Sequence, residues 1–214
     1  MDIEYKDVID FTRCKKLLEE RGIKVKFLAE KTGQTPTRMS QILKNNTFPK
    51  TDLIAKMCSV LKAAPSEIVR FKIDEDEKKK KWFEDKPAPF FPPDNPEGVV
   101  CYDPLWQLIT IYLEYINSKK EQLYNANDLF DKIEPYRRRN GLVTLCDTEA
   151  TKKSLVARGF PEDYKSPHER HYKAKGLIPQ VRTKLKHDRP LNIRTVYDIC
   201  NFFGCSIDWV MSYK

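Results

Sequence analysis

KVKFLAEKTGQTPTRMSQILKNNTFPKTDLIAKMCSVLKAAPSEIV, Lys24 to Val69, is the stretch on which the fold of this chain turns. Phe27, Leu28 and Ala29 read as the inward residues of one short helix, with Ala29 small enough to let another helix cross closely. Gly33 follows, where a tight turn needs a residue tolerant of positive φ. A second short helix then starts at Pro36, a favoured first helical position, with Met39, Ile42 and Leu43 facing inward. This leaves Thr37, Arg38, Gln41 and Lys44 on the outer face, with no carboxylate among them. A helix presenting that face can enter a major groove, where Arg and Gln read base edges and Lys neutralises phosphate.

Working outward, the apolar spacing predicts helices over 8–21, 25–32, 36–44, 51–62 and 66–70. The first places Phe11, Cys14, Leu17 and Leu18 on one face and stops at Gly22, a C′ glycine. The fourth places Leu53, Ile54, Met57, Cys58 and Leu61 on one face, with Thr51 as its N-cap. No segment alternates with period two for any length, so an all-α protein is expected.

At this point the segment resembles the lambda-repressor/Cro (XRE) family of helix-turn-helix domains. The likeness rests on Leu28-Ala29-Glu30-Lys31, Gly33, Met39-Ser40-Gln41-Ile42, Pro49, and the closing Leu61, Ala63, Pro65 and Ile68, and it covers about residues 8–70. It implies five helices, a recognition helix at 36–44, and binding to double-stranded operator DNA, usually as a homodimer. Carried over position by position, it places base contacts on Pro36, Thr37, Arg38 and Gln41 and backbone contacts on Lys44 and Asn45. Val25 stands where the family often has a phosphate-touching glutamine, and Pro36 replaces a polar residue at the helix start.

The C-terminus repeats the closing half of this domain. Val196 to Val210 (VYDICNFFGCSIDWV) aligns with Ile54 to Ile68 at a constant offset of 142. Upstream, Gly176 to Lys186 (GLIPQVRTKLK) reads as a second recognition helix, with Leu177, Val181 and Leu185 inward and Gln180, Arg182, Lys184 and Lys186 as polar candidates. Helices over Asp103 to about Gln122 and Asn127 to Arg139 supply its opening, and residues 140–175 form an insertion. The expected organisation is therefore a helix-turn-helix domain at 1–70, a charged, proline-rich linker at 71–100, and a degenerate helix-turn-helix-like domain at 101–214. Within the linker, Phe90 and Phe91 are expected to rest on a neighbouring domain. Trp106, Ile109, Leu113 and Ile116 form an apolar stripe, read as core.

The chain has 214 residues and a net charge of +8, from 39 basic and 31 acidic side chains. The basic residues concentrate in two segments, Arg21 to Lys50 and Tyr164 to Arg194, a distribution suited to polyanion contacts. The first ten residues hold no apolar signal region, and the longest apolar stretch, Leu105 to Ile116, is too short to span a bilayer. A soluble, cytoplasmic protein is expected. Six cysteines without a Cys-x-x-Cys pair read as reduced core residues, and no ligand spacing recommends a metal site built from Cys146, His168, His171 and Cys200 or Cys205. The seven glycines are isolated, no nucleophile motif appears, and neither an enzyme nor a cofactor is expected.

These features point to a sequence-specific DNA-binding transcriptional regulator, a repressor with tandem helix-turn-helix units. The rival reading is a mobile-element protein: its 101–214 region binds and inhibits a protein or ribonucleoprotein partner, such as a host defence nuclease, while the N-terminal domain controls its own gene. A third, an RNA-binding or toxin-associated regulator, stays open.

Overall fold

The computed structural model describes residues 3–73, 97–118, 123–133, 156–157 and 179–214. In the N-terminal half, α1 (Ile3–Lys6) and the two-residue strand β1 (Ile9–Asp10) precede α2 (Thr12–Glu20), α3 (Val25–Lys31), α4 (Pro36–Leu43), α5 (Thr51–Leu61) and α6 (Pro65–Ile68), and strand β2 (Arg70–Phe71) closes it. In the C-terminal half, strand β3 (Val100–Cys101) leads into α7 (Asp103–Asn117) and α8 (Ala126–Lys132). After them come α9 (Pro179–Lys186), α10 (Ile193–Phe203), a 3-10 turn at Ile207–Trp209 and strand β4 (Ser212–Tyr213).

Four helix ends in the first half, at Gly22, Gly33, Asn45 and Lys62, follow one local rule. Each finishes with a residue in the left-handed region, and the next two amides fold back onto the last turn. At Gly22 (φ 65°) the bonds are Gly22 N to Glu19 O and Ile23 N to Leu18 O. At Gly33 (φ 70°) they are Gly33 N to Glu30 O and Gln34 N to Ala29 O. At Asn45 (φ 58°) they are Asn45 N to Ile42 O and Asn46 N to Gln41 O. This is the Schellman closure, which satisfies carbonyls that a helix end would leave orphaned. No atom lies within 4 Å of a Cβ built on Gly33, so backbone conformation and not crowding calls for glycine there.

Several expectations are corrected. The first long helix begins at Thr12 and not at residue 8. Residues 9 and 10 pair antiparallel with Phe71 and Arg70, and the Asp10 carboxylate caps the helix start by accepting from Thr12 N at 2.9 Å. A second antiparallel pair joins Val100 to Tyr213 and Cys101 to Ser212. The fold is mostly helical with these two ribbons added, and strands two residues long are too short to leave an alternation in sequence. Phe27 is 46% exposed and so does not face inward, whereas Leu28 and Ala29 are fully buried. Thr51 is not the N-cap of α5, because Lys50 holds that position. Phe90, Phe91, and nearly all of the 140–175 segment lie outside the described residues.

The core is continuous across the two halves. Phe11, Cys14, Leu28, Met39, Ile42, Ile54 and Leu61 of the first half join Tyr102, Leu105, Phe130, Ile199 and Phe203 of the second in one buried cluster. The helical stripe of α7 is only partly covered: Ile109 is buried, while Trp106, Leu113 and Ile116 pack half-buried against the cluster. Between the halves, Thr51 is the central polar residue. Fully buried, its hydroxyl lies 2.8 Å from Tyr102 Oη and accepts from Leu191 N at 2.9 Å. Burial pushes the Tyr102 phenol well above its ordinary pKa.

Candidate nucleic-acid interface

Helix α4 is started by Thr35, whose hydroxyl accepts from Arg38 N at 3.2 Å, and by Pro36 at the first turn. Threonine at this cap satisfies one of the orphan amides, and proline gives up an N–H that would have none to pair with. Met39, Ile42 and Leu43 are buried, which turns Thr37, Arg38 and Gln41 outward. Pro36, Thr37, Arg38, Gln41 and Lys44 are all exposed. The sequence placed Thr37, Arg38, Gln41 and Lys44 on the outer face, and all four are exposed.

Asn45 behaves differently. Its side-chain carbonyl accepts from Phe11 N at 3.0 Å and its amide donates to Asp10 Oδ1 at 3.1 Å. Both ends of the amide are thus committed to fastening the start of α2 against the end of α4. Burial raises the Asp10 carboxyl, but hydrogen bonds from Thr12 and Asn45 outweigh it and hold the group below its ordinary value. Arg21, counted among the basic residues of this segment, donates its guanidinium to the Leu61 carbonyl and closes the end of α5.

A groove of about 310 Å³ runs beside α4, with Thr37, Arg38 and Gln41 on one wall and Thr47, Phe48 and Pro49 on the other. Thr47 and Phe48 were not singled out from sequence. The only sequence signal is their place in the short connection between α4 and α5. Arg194 from α10 stacks over the Phe48 ring at 4.9 Å and the Tyr5 ring at 5.4 Å, so the other half of the chain contacts the far wall through Phe48.

The second candidate set lies on α9. Gln180 and Lys184 are exposed. Arg182 is turned inward: it pairs with Asp131 of α8, stacks 5.8 Å over Phe130, and keeps a side-chain exposure of 20%. Val181 is half-buried and Leu185 fully buried, as expected for inward positions, and Leu177 lies outside the described residues.

The described cysteines are free and buried. Burial pushes the Cys14 thiol up to about 12, and those of Cys58 and Cys200 well above the ordinary value, so they serve as small core hydrophobes. Cys101, Asp103 and Asp188 bring ligand atoms within 4.8 Å of one another. That cluster is already engaged: Asp188 accepts from Tyr102 N, and the Lys214 ammonium reaches both carboxylates, at 3.3 and 3.7 Å. Among the described residues no helix is long and apolar enough to cross a membrane.

Two short helices joined through the Gly33 turn, the second capped by Thr35 and presenting an outer face without a carboxylate, have the arrangement of a helix-turn-helix. In comparison with known families, residues 13–74 match the model of the Cro/C1-type helix-turn-helix DNA-binding domain. No curated protein and no solved structure matches the chain.

Proposed function

We propose that this protein is a sequence-specific DNA-binding transcriptional regulator, acting as a repressor and working by binding rather than by catalysis. The observation that carries the reading is the outer face of α4. There Thr37, Arg38, Gln41 and Lys44 stand exposed on a rigid, fully capped helix within the Cro/C1-type match. Arg38 and Gln41 read base edges, while Lys44 and the basic surface around it neutralise phosphates. Residues 101–214 carry a second, diverged unit of the same kind, supported by the sequence repeat at offset 142.

Selection of bound duplexes from a random library, followed by titration, tests this. Arg38→Ala should cost about 1–3 kcal/mol on the selected operator and little on random DNA. Equal losses on both would reduce Arg38 to a phosphate contact, and no enrichment at all would sink the reading. A second reading, in which the C-terminal half docks a protein partner, looks to Leu123, which is 75% exposed two residues before the N-cap of α8. Its signature is a partner retained by the wild-type chain and lost on Leu123→Asp.

A further inference from the structure

The contacts between the two halves have an unusual regularity. Lys50 pairs with Asn192 in an isolated antiparallel bridge. Around it, Thr51 N donates to Leu191 O at 2.8 Å and Ile193 N donates to Pro49 O at 3.2 Å. Shifting 49, 50 and 51 by the repeat offset gives 191, 192 and 193, so each bond is the image of the other. Ser66 N donates to Asp208 Oδ1 across a separation of 142, joining a residue to its own counterpart. Contacts in which i meets j′ and j meets i′ are the mark of a two-fold, isologous interface.

The architecture on either side obeys the same relation. Helix α5, Thr51–Leu61, maps onto α10, Ile193–Phe203, and β2 maps onto β4, all at offset 142. Both helices close on a left-handed residue, Lys62 (φ 44°) and Gly204 (φ 68°). Helix α4, Pro36–Leu43, maps onto α9, Pro179–Lys186, at an offset one greater. Each of these is followed by a left-handed residue whose side chain accepts the amide just before the first long helix. Asn45 takes Phe11 N at 3.0 Å, and Asp188 takes Tyr102 N at 2.9 Å.

We infer that the chain is a covalent pseudo-dimer: one molecule, folded about an internal dyad, offers two unlike reading helices and occupies a bipartite duplex site without a second copy. This rests on the DNA-binding reading of α4 and adds a second reader, the stoichiometry and the form of the operator. The α5 start and its α6 neighbour, where a partner chain would have to sit to make the same symmetric pairing, are already filled by α10 and the 3-10 turn. Residues 49–51 lie at the dyad, joined to α4 by the short connection 44–48, and the same two-fold relation sets α9 on the other side of the axis. A half-turn preserves direction along its axis, so whatever component the outer face of α4 has along the dyad is shared by α9.

The two readers differ in chemistry. In the α4-to-α9 register, Gln180 takes the place of Thr37, Val181 of Arg38, Lys184 of Gln41, and His187 of Lys44. Arg182 takes the place of the buried Met39, which explains why it is turned in upon Asp131 and Phe130. The operator is therefore two unlike half-sites, centred about one helical turn apart, and not a palindrome. Gln180 and Lys184 read the weaker one.

The test uses the full chain and the operator selected above, with each base pair substituted in turn. Mass measurement of the complex is expected to give one chain per operator. Arg38→Ala should abolish sensitivity to substitutions in one half-site, and Gln180→Ala with Lys184→Ala in the other, each weakening binding roughly tenfold or more. Both side chains of the second variant are exposed, and an unchanged melting temperature will show that it folds. Two chains per operator, or a double variant that leaves both half-sites equally readable, overturns the pseudo-dimer while leaving α4 as a reader. If Arg38→Ala also has no selective effect, the DNA-binding reading falls with it.

Discussion

Lys62 occupies a left-handed conformation that costs an L side chain roughly 1–2 kcal/mol. It is exposed, with its backbone amide held by Ser59 O. At the equivalent corner of the second half stands Gly204, for which the same conformation carries no steric penalty. Lys62→Gly should therefore stabilise the protein, by a net of about 0.5–1 kcal/mol once the added freedom of glycine in the unfolded chain is subtracted. Chemical denaturation checks it, and a loss of stability would mean that the Lys62 side chain makes a contact worth more than the strain. Thr51 teaches the complementary lesson. As the first polar residue before an apolar helix it reads as a cap, yet its hydroxyl is spent on Tyr102 and Leu191, residues far away in sequence.

At the scale of the element, the end of α4 divides two jobs between neighbours. Lys44 is exposed and faces outward, while Asn45 ties α4 to β1 and the start of α2. Lys44→Ala should reduce the slope of log affinity against log salt by about 0.9 and leave stability nearly unchanged. Asn45→Ala should do the reverse. It leaves Phe11 N without its acceptor and sets alanine in a left-handed turn, for a loss of about 1–3 kcal/mol in stability. Paired affinity titrations and thermal melts of both variants distinguish the roles, and a loss of DNA affinity at unchanged stability in the Asn45→Ala protein would restore Asn45 to the phosphate contacts. Nothing in the local sequence separates these residues, since both are short steps beyond the last turn and both are polar.

For the whole molecule, one continuous buried cluster predicts one cooperative unfolding transition for the two halves, with calorimetric and van't Hoff enthalpies in agreement. Two resolved transitions would show that the halves are independent domains. Asp208 makes this shared interface sensitive to pH. Burial raises its carboxyl above the ordinary 3.8, with the hydrogen bonds from Ser66 opposing. The folded state thus holds its proton more tightly than the unfolded one, and stability falls as pH rises through the window from 3.8 to the raised value. Asp208→Asn keeps an oxygen for Ser66 N and loses the charge. Its stability relative to wild type should grow across that window and level off above it, whereas a difference independent of pH would show that Asp208 does not titrate there.

The sequence by itself determined the helix-turn-helix of the first seventy residues and the residues on its outer face. Its signals are short-range: Gly22 and Gly33 at left-handed turns, Pro36 at a helix start, and apolar positions recurring every three or four residues. Each depends on neighbours within one or two turns, and physical chemistry at that range is largely independent of the rest of the fold. The repeat at offset 142 was visible in the same way, as a pattern of apolar positions. What only the tertiary structure decided is how the two halves meet. Thr51 passes from cap to buried hub and Phe27 from core to surface, while Arg182 is withdrawn from the outer face of α9. Lys50 pairs with Asn192 across the two halves. The reason is common to all four. A marginally amphipathic position is inside or outside according to which distant segment covers it, and the covering segments here lie far along the chain.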